Sequence, residues 1–284
     1  MNCLQPSLWD NVALENGYYK LNELQLVQAI KEFNQALKMD MGQQEMIRHA
    51  IATAEFWLDR IGDRDTWSEG HTGGTVLYGQ WLEDFANYGF KDRMQAFRKR
   101  LLSHISDRLM ETGELNREEA ERAFDLMLGC GLYDKAKALL SALQLQYPEA
   151  PELGYWEAQV LWRTGDKPEA NHLSAMALLL NPGSLAISRI ENPSLREVID
   201  RYGTEKAPAY GWIGGLLPLV RIPEDLVILH EKHEQAVLAY DALQSAHTFL
   251  KNGDKTSCVR YRKELKRLDP DLYDAYFRLI SRSV

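Results

Sequence analysis

The chain has 284 residues and a mass of 32.6 kDa, with 45% hydrophobic and 26% charged residues, a balance that excludes disordered and collagen-like chains and allows a buried core. A net charge of −8 and a sequence pI near 5.5 exclude the uniformly basic surface of a general nucleic-acid binder, so no DNA partner is expected and RNA is disfavoured. No stretch reaches the ~18 to 20 apolar residues of a membrane span. The first ten residues lack a basic-then-apolar export pattern, and Cys3, Cys130 and Cys258 are odd in number, far apart and part of no C-x-x-C, so the expectation is a cytoplasmic chain without disulfides, metal or cofactor.

Composition and breakers divide the chain at 1–61, 62–115, 116–182, 183–223 and 224–284. In the first segment, Gly17, Ala29, Phe33 and Ala36 fall within a helical pattern that ends near Met41. The second opens on a Gly- and aromatic-rich stretch, 62–79, containing Glu69, His71, Thr72 and Thr75. Its glycines can let backbone amides converge on an anion. Against a phosphate site there stand the absence of a P-loop, of a nucleophile elbow and of a strand leading in, so an ordered structural loop is the plainer reading. Basic helices follow: Lys91 to Arg108 carries six Lys or Arg against two Asp. A solvated outer face accounts for them more simply than an RNA site does.

The segment 116–182 is the clearest. Gly131, Ala136, Leu139 and Pro148 recur 34 residues later as Gly165, Ala170, Leu173 and Pro182. Each Gly supplies a turn free of Cβ strain, and each Pro, 17 residues on, cannot continue a helix interior. The pattern predicts paired helices whose small Ala residues allow close approach.

These residues resemble the tetratricopeptide repeat (TPR), a 34-residue helix-turn-helix. Gly253 and Pro270 repeat the interval of 17 near the C-terminus, with Cys258 and Leu265 standing where Ala136 and Leu143 stand in the earlier copy. Gly17, Ala29, Phe33 and Ala36 fit the family's Gly, Ala, aromatic and Ala positions, with Met41 in place of the closing Pro. The resemblance covers roughly half the chain. It implies an all-α fold: a right-handed α–α superhelix of TPR-like hairpins at about 11–41, 116–182 and 236–270, interrupted by an irregular Gly/Pro/aromatic insertion.

That insertion, 183–223, holds Pro193, Pro208, Gly211, Gly214, Gly215, Pro218 and Pro223, which forbid one long helix. Its apolar content predicts packing on the flanking repeats rather than a free linker. From Glu224 a helix is predicted to run to Leu250. It carries His230 and His233, three apart in "HEKHE" and one residue short of the zincin spacing, so a polar helix face is favoured over a metal site. Beyond it, Arg260, Lys263 and Arg267 can line one helix face.

By the family's register the first helix of each pair lines the concave surface, which brings forward Glu121 and Asp125 from one copy and Tyr155, Gln159, Trp162 and Arg163 from the next. The last four share one helical face by their own spacing, and a pure core face rarely mixes Gln and Arg with aromatics. Asp125 and Gln159 stand where the chaperone-tail-binding version of the family places Asn, which argues against such a tail as the ligand. The expectation is an interaction scaffold that holds a peptide or partner helix, with Glu121 and Asp125 favouring a ligand that carries a basic group. The rivals are an enzyme or a metal- or phosphate-binding protein using the His71 loop with His230 or His233, and a structural subunit of a homo-oligomer.

Overall fold

The structure is a computed structural model, and it describes residues 8–39, 43–64, 78–111, 115–150, 152–184, 190–224 and 226–282. Among these there are fourteen α-helices, two short 3₁₀ turns and no strand, so the chain is all-α. They divide into two compact units, Met1–Leu139 and Leu140–Val284, whose boundary falls inside the expected 116–182 segment. Met41 and most of the 62–79 loop, with Glu69, His71, Thr72 and Thr75, lie outside the described residues.

In the amino-terminal unit, α1 (Leu8–Asn22) and α2 (Leu26–Lys38) form a hairpin, and α3 (Gln44–Ile61) packs on α2. The α2 pattern Leu26, Ala29, Phe33, Ala36 is entirely buried, as three- and four-residue spacing dictates. Gly17 of α1 permits the contact: a Cβ there would lie 2.5 Å from the Phe33 ring. Beyond the loop come α4 (Tyr78–Asn87), α5 (Gln95–Glu111) and α6 (Arg117–Cys130), around a core of Trp57, Phe85, Phe90 and Phe97 with neighbouring ring centres 5.2 to 6.4 Å apart. Asn116 caps α6, its side-chain oxygen accepting from the amides of Glu118 and Glu119. The helix α7 (Tyr133–Gln146) carries the chain across the unit boundary.

The carboxy-terminal unit contains the hairpin of α8 (Glu152–Thr164) and α9 (Lys167–Leu180) and that of α12 (Glu231–Lys251) and α13 (Lys255–Leu268), with α14 (Pro270–Ser281) packed on α13. Between the hairpins lie two short helices, α10 (Pro193–Tyr202) and α11 (Ala207–Ile213), then irregular chain. The breakers act here as expected, and the insertion packs rather than dangles. Tyr202 stacks on Tyr210 at 3.8 Å, Lys206 pairs with Asp269 at 2.8 Å, and the Tyr240 hydroxyl of α12 accepts from the Val220 amide at 2.9 Å while donating to the Val220 carbonyl at 3.1 Å. Burial raises the pKa of that hydroxyl to about 12, which keeps it a donor.

The predicted turns share a positive φ. Gly131, Gly165 and Gly253 all have left-handed φ, at 71°, 99° and 76°. Leu24 joins them at 60°, although a side chain makes that conformation costly. Each of the four precedes by five residues a small buried residue: Ala29, Ala136, Ala170 and Cys258. At Leu24, Gly131 and Gly253 the helix closes with the same two bonds, for example Leu132 N to Met127 O at 2.9 Å and Gly131 N to Leu128 O at 3.1 Å.

One expected element is shorter. The helix predicted from Glu224 begins at Glu231, because His230 is its N-cap and the chain before it is irregular.

Candidate functional site

The expected site residues on α8 lie at its contact with the start of the insertion. Tyr155 and Gln159 are buried, Trp162 is half-buried and Arg163 is exposed. Segment 190–195 reaches this face, so that Tyr155, Gln159 and Trp162 share a cleft with Ser174 of α9 and with Ile190 and Asn192. The free space in the cleft is about 10 Å³, room for about one water molecule and far below the ~300 Å³ where small-molecule pockets begin, so segment 190–195 closes this face.

Its polar groups are only partly satisfied. Asn192 caps α10, accepting from the amides of Ser194 and Leu195, while its own amide donates to Asn171 at 3.3 Å. The Ser174 hydroxyl donates to the Ala170 carbonyl at 2.7 Å. The Nε2 of Gln159, by contrast, is buried and has no acceptor. At the rim Arg163 pairs with Glu191 at 2.8 Å, and the Lys167 ammonium lies 5.1 Å from the centre of the Trp162 ring. Glu121 and Asp125, on α6 of the other unit, are half-buried.

The rival histidines are engaged elsewhere. His230 does not line a helix face; its Nδ1 accepts from the His233 amide at 3.2 Å. His233 is 1% exposed, with Nδ1 accepting from the Leu229 amide at 3.3 Å and Nε2 donating to the Leu179 carbonyl at 2.8 Å. The expected two-histidine face therefore does not exist, since one ring caps the helix and the other is inside. Among the described residues no group of three His, Cys, Asp or Glu is placed to hold a metal ion, and no helix is long and apolar enough to cross a membrane.

The first basic stretch is partly absorbed by internal partners: Lys91 faces Glu45 at 3.9 Å, Arg93 faces Glu15 at 3.9 Å and Arg108 faces Glu111 at 3.1 Å. In the second, Arg260, Lys263 and Arg267 are all exposed on α13. Cys130 and Cys258 are buried free thiols, as expected of small packing residues.

A scan against protein-family models finds no match to this chain, and searches of curated proteins and of solved structures likewise return none.

Proposed function

We propose that this chain is a TPR-like scaffold that binds a peptide or a partner helix on the α8 face of its carboxy-terminal unit. The observation that carries this reading is the buried Gln159 amide without an acceptor, which lines one cleft with Tyr155 and Trp162 beneath segment 190–195, so that a ligand reaches it by displacing that segment. A buried polar group left unpaired costs ~1–3 kcal/mol, which a ligand carbonyl would recover. Trp162 supplies apolar area at low entropy cost, and the Arg163–Glu191 pair is a surface contact worth ~0.2–1 kcal/mol that an incoming charged group can displace.

The repeat reading is supported by the positive φ at Leu24, Gly131, Gly165 and Gly253, by the two-bond helix closure that all but Gly165 share, and by the small buried residue five positions beyond each. In a right-handed superhelix, such hairpins would present their first helices on one extended surface.

The test is selection of random dodecapeptides on the intact chain, with counter-selection on Trp162→Ala. Enrichment of peptides that need Trp162 and lose affinity with Gln159→Leu supports the reading. Enrichment only of peptides indifferent to both substitutions refutes it.

A further inference from the structure

Helix α13 carries six Lys or Arg against one acid, Glu264, in a chain whose net charge is −8. At ~100° per residue, Lys255, Lys266, Lys263, Arg267 and Arg260 fall within one arc of ~140°, and all five are exposed. None of the five has an ion pair among the described residues. The sixth cation, Arg262, lies outside the arc, half-buried, with its guanidinium carbon 5.9 Å from the Tyr276 ring centre. The other basic helix, α5, by contrast mixes four Lys or Arg with Asp107 and Glu111.

The acids nearest to the arc are engaged elsewhere. Asp254, the N-cap, accepts from the Ser257 amide at 3.0 Å, and Asp269 pairs with Lys206 at 2.8 Å. Burial raises the pKa of Asp241 on α12 and the charge of Glu264 adds to the rise, so Glu264 stands on the α12 side of the arc. On α14, Asp271 and Asp274 lie ~160° and ~100° round the helix from Tyr273, the ring that meets the Lys266 ammonium at 5.4 Å. Like charges three and four positions apart, such as Lys263 with Lys266 and with Arg267, weaken a helix, and an anionic partner reverses the sign of that contribution. Apolar surface lies among the cations. Val259, inside the arc, is 49% exposed, and Phe277, 48% exposed, stacks on Tyr273 with ring centres 6.1 Å apart, which extends the surface on to α14.

We propose that this face of α13, continued by Phe277, docks a short acidic peptide segment that carries an apolar side chain. The carboxylates pair with the five cations of the arc, and the apolar side chain covers Val259 or Phe277. The length of the ligand follows from charge. Helix α13 spans ~20 Å. Residues 251–284 hold nine Lys or Arg against five acids, which leaves −12 on the rest of the chain. Screening at physiological salt acts over ~8 Å, so a longer polyanion such as RNA runs off the cations on to net-acidic chain. Two exposed apolar residues are too few to seat the face in a bilayer. The surface uses none of the α8 cleft's residues, and the proposal does not rest on that cleft.

The test titrates the intact chain into a fluorescein-labelled dodecapeptide of Glu and Asp with one central Phe, read by anisotropy. The comparisons are its Gln and Asn counterpart and a single-stranded RNA dodecamer, both labelled alike, and phosphatidylserine vesicles by co-sedimentation. Saturable binding of the acidic peptide is expected, at least about tenfold tighter than its amide counterpart and weakened several-fold between about 50 and about 200 mM salt. Lys263→Glu and Arg267→Glu should each weaken it about fivefold or more. Lys31→Glu makes the same change in net charge at an exposed position of α2 and should alter it less than about twofold. The wild-type comparison stands even if a variant fails to fold. Absence of saturable binding by the acidic peptide overturns the proposal. So does tighter binding of the RNA or of the vesicles, or an equal loss in Lys263→Glu and Lys31→Glu. A salt-dependent dimer that Lys263→Glu dissolves assigns the face to a second copy of the chain and also overturns it.

Discussion

The imidazole of His233 donates from Nε2 to the carbonyl oxygen of Leu179 across 2.8 Å, joining residues 54 positions apart. Leu179 lies in the last turn of α9, where carbonyls have no following amide to accept from, and His233 opens α12. The bond therefore ties one hairpin to the other inside the carboxy-terminal unit. His233→Phe, which keeps the volume and removes the bond, should cost ~1–3 kcal/mol in urea unfolding, because the Leu179 carbonyl is left buried and unpaired. His233→Ala should cost more, since it adds a cavity. Losses below about 0.5 kcal/mol for both would show that water replaces the imidazole.

Two helical glycines should respond oppositely to the same change. Gly17→Ala places a methyl carbon 2.5 Å from the Phe33 ring, so the α1–α2 hairpin must open or the ring must move, at ~1–3 kcal/mol. Gly154→Ala in α8 meets nothing within 4 Å and should stabilise by ~0.5–1 kcal/mol through a less flexible unfolded chain. Paired melting curves check both, and in Phe33→Leu the penalty of Gly17→Ala should shrink.

Acid should weaken the amino-terminal unit before its carboxylates titrate. Burial lowers the pKa of His104 from 6.5 to about 4, with Arg108 and Arg100 adding to the effect and Asp107 opposing it. Above the unfolded value the ring is neutral in both states and contributes nothing to the pH dependence. As pH falls from 6.5 towards 4 the unfolded chain takes up a proton that the folded chain refuses, so stability drops across that window. His49, lowered mainly by its own burial, acts in the same direction. Between neutral pH and about pH 5.5 the loss traceable to His104 should be about 1 kcal/mol, allowing for the ring's remaining solvent exposure, and His104→Gln should flatten that part of the profile.

What the sequence made legible was local. The 34-residue offset placed the turns at Gly131 and Gly165 because a left-handed residue and a closing Pro leave marks within a single hairpin. Leu24 escaped notice because it adopts the same turn without glycine. The start of α12 was misplaced because His230 is an uncommon N-cap, and the role of His233 was hidden because its acceptor is distant in sequence. At α8 the spacing identified a mixed polar and aromatic face, but not that segment 190–195 lies against it and buries Gln159.

The most direct measurement is the affinity of one selected peptide for wild type and for Trp162→Ala, taken together with the melting temperature of each. If α8 is the binding face, Trp162→Ala should weaken the peptide by about 30-fold, corresponding to ~2 kcal/mol, with little change in melting temperature. A sharp fall in melting temperature with unchanged affinity of the folded fraction would contradict the account and assign Trp162 to the packing between α8 and the insertion.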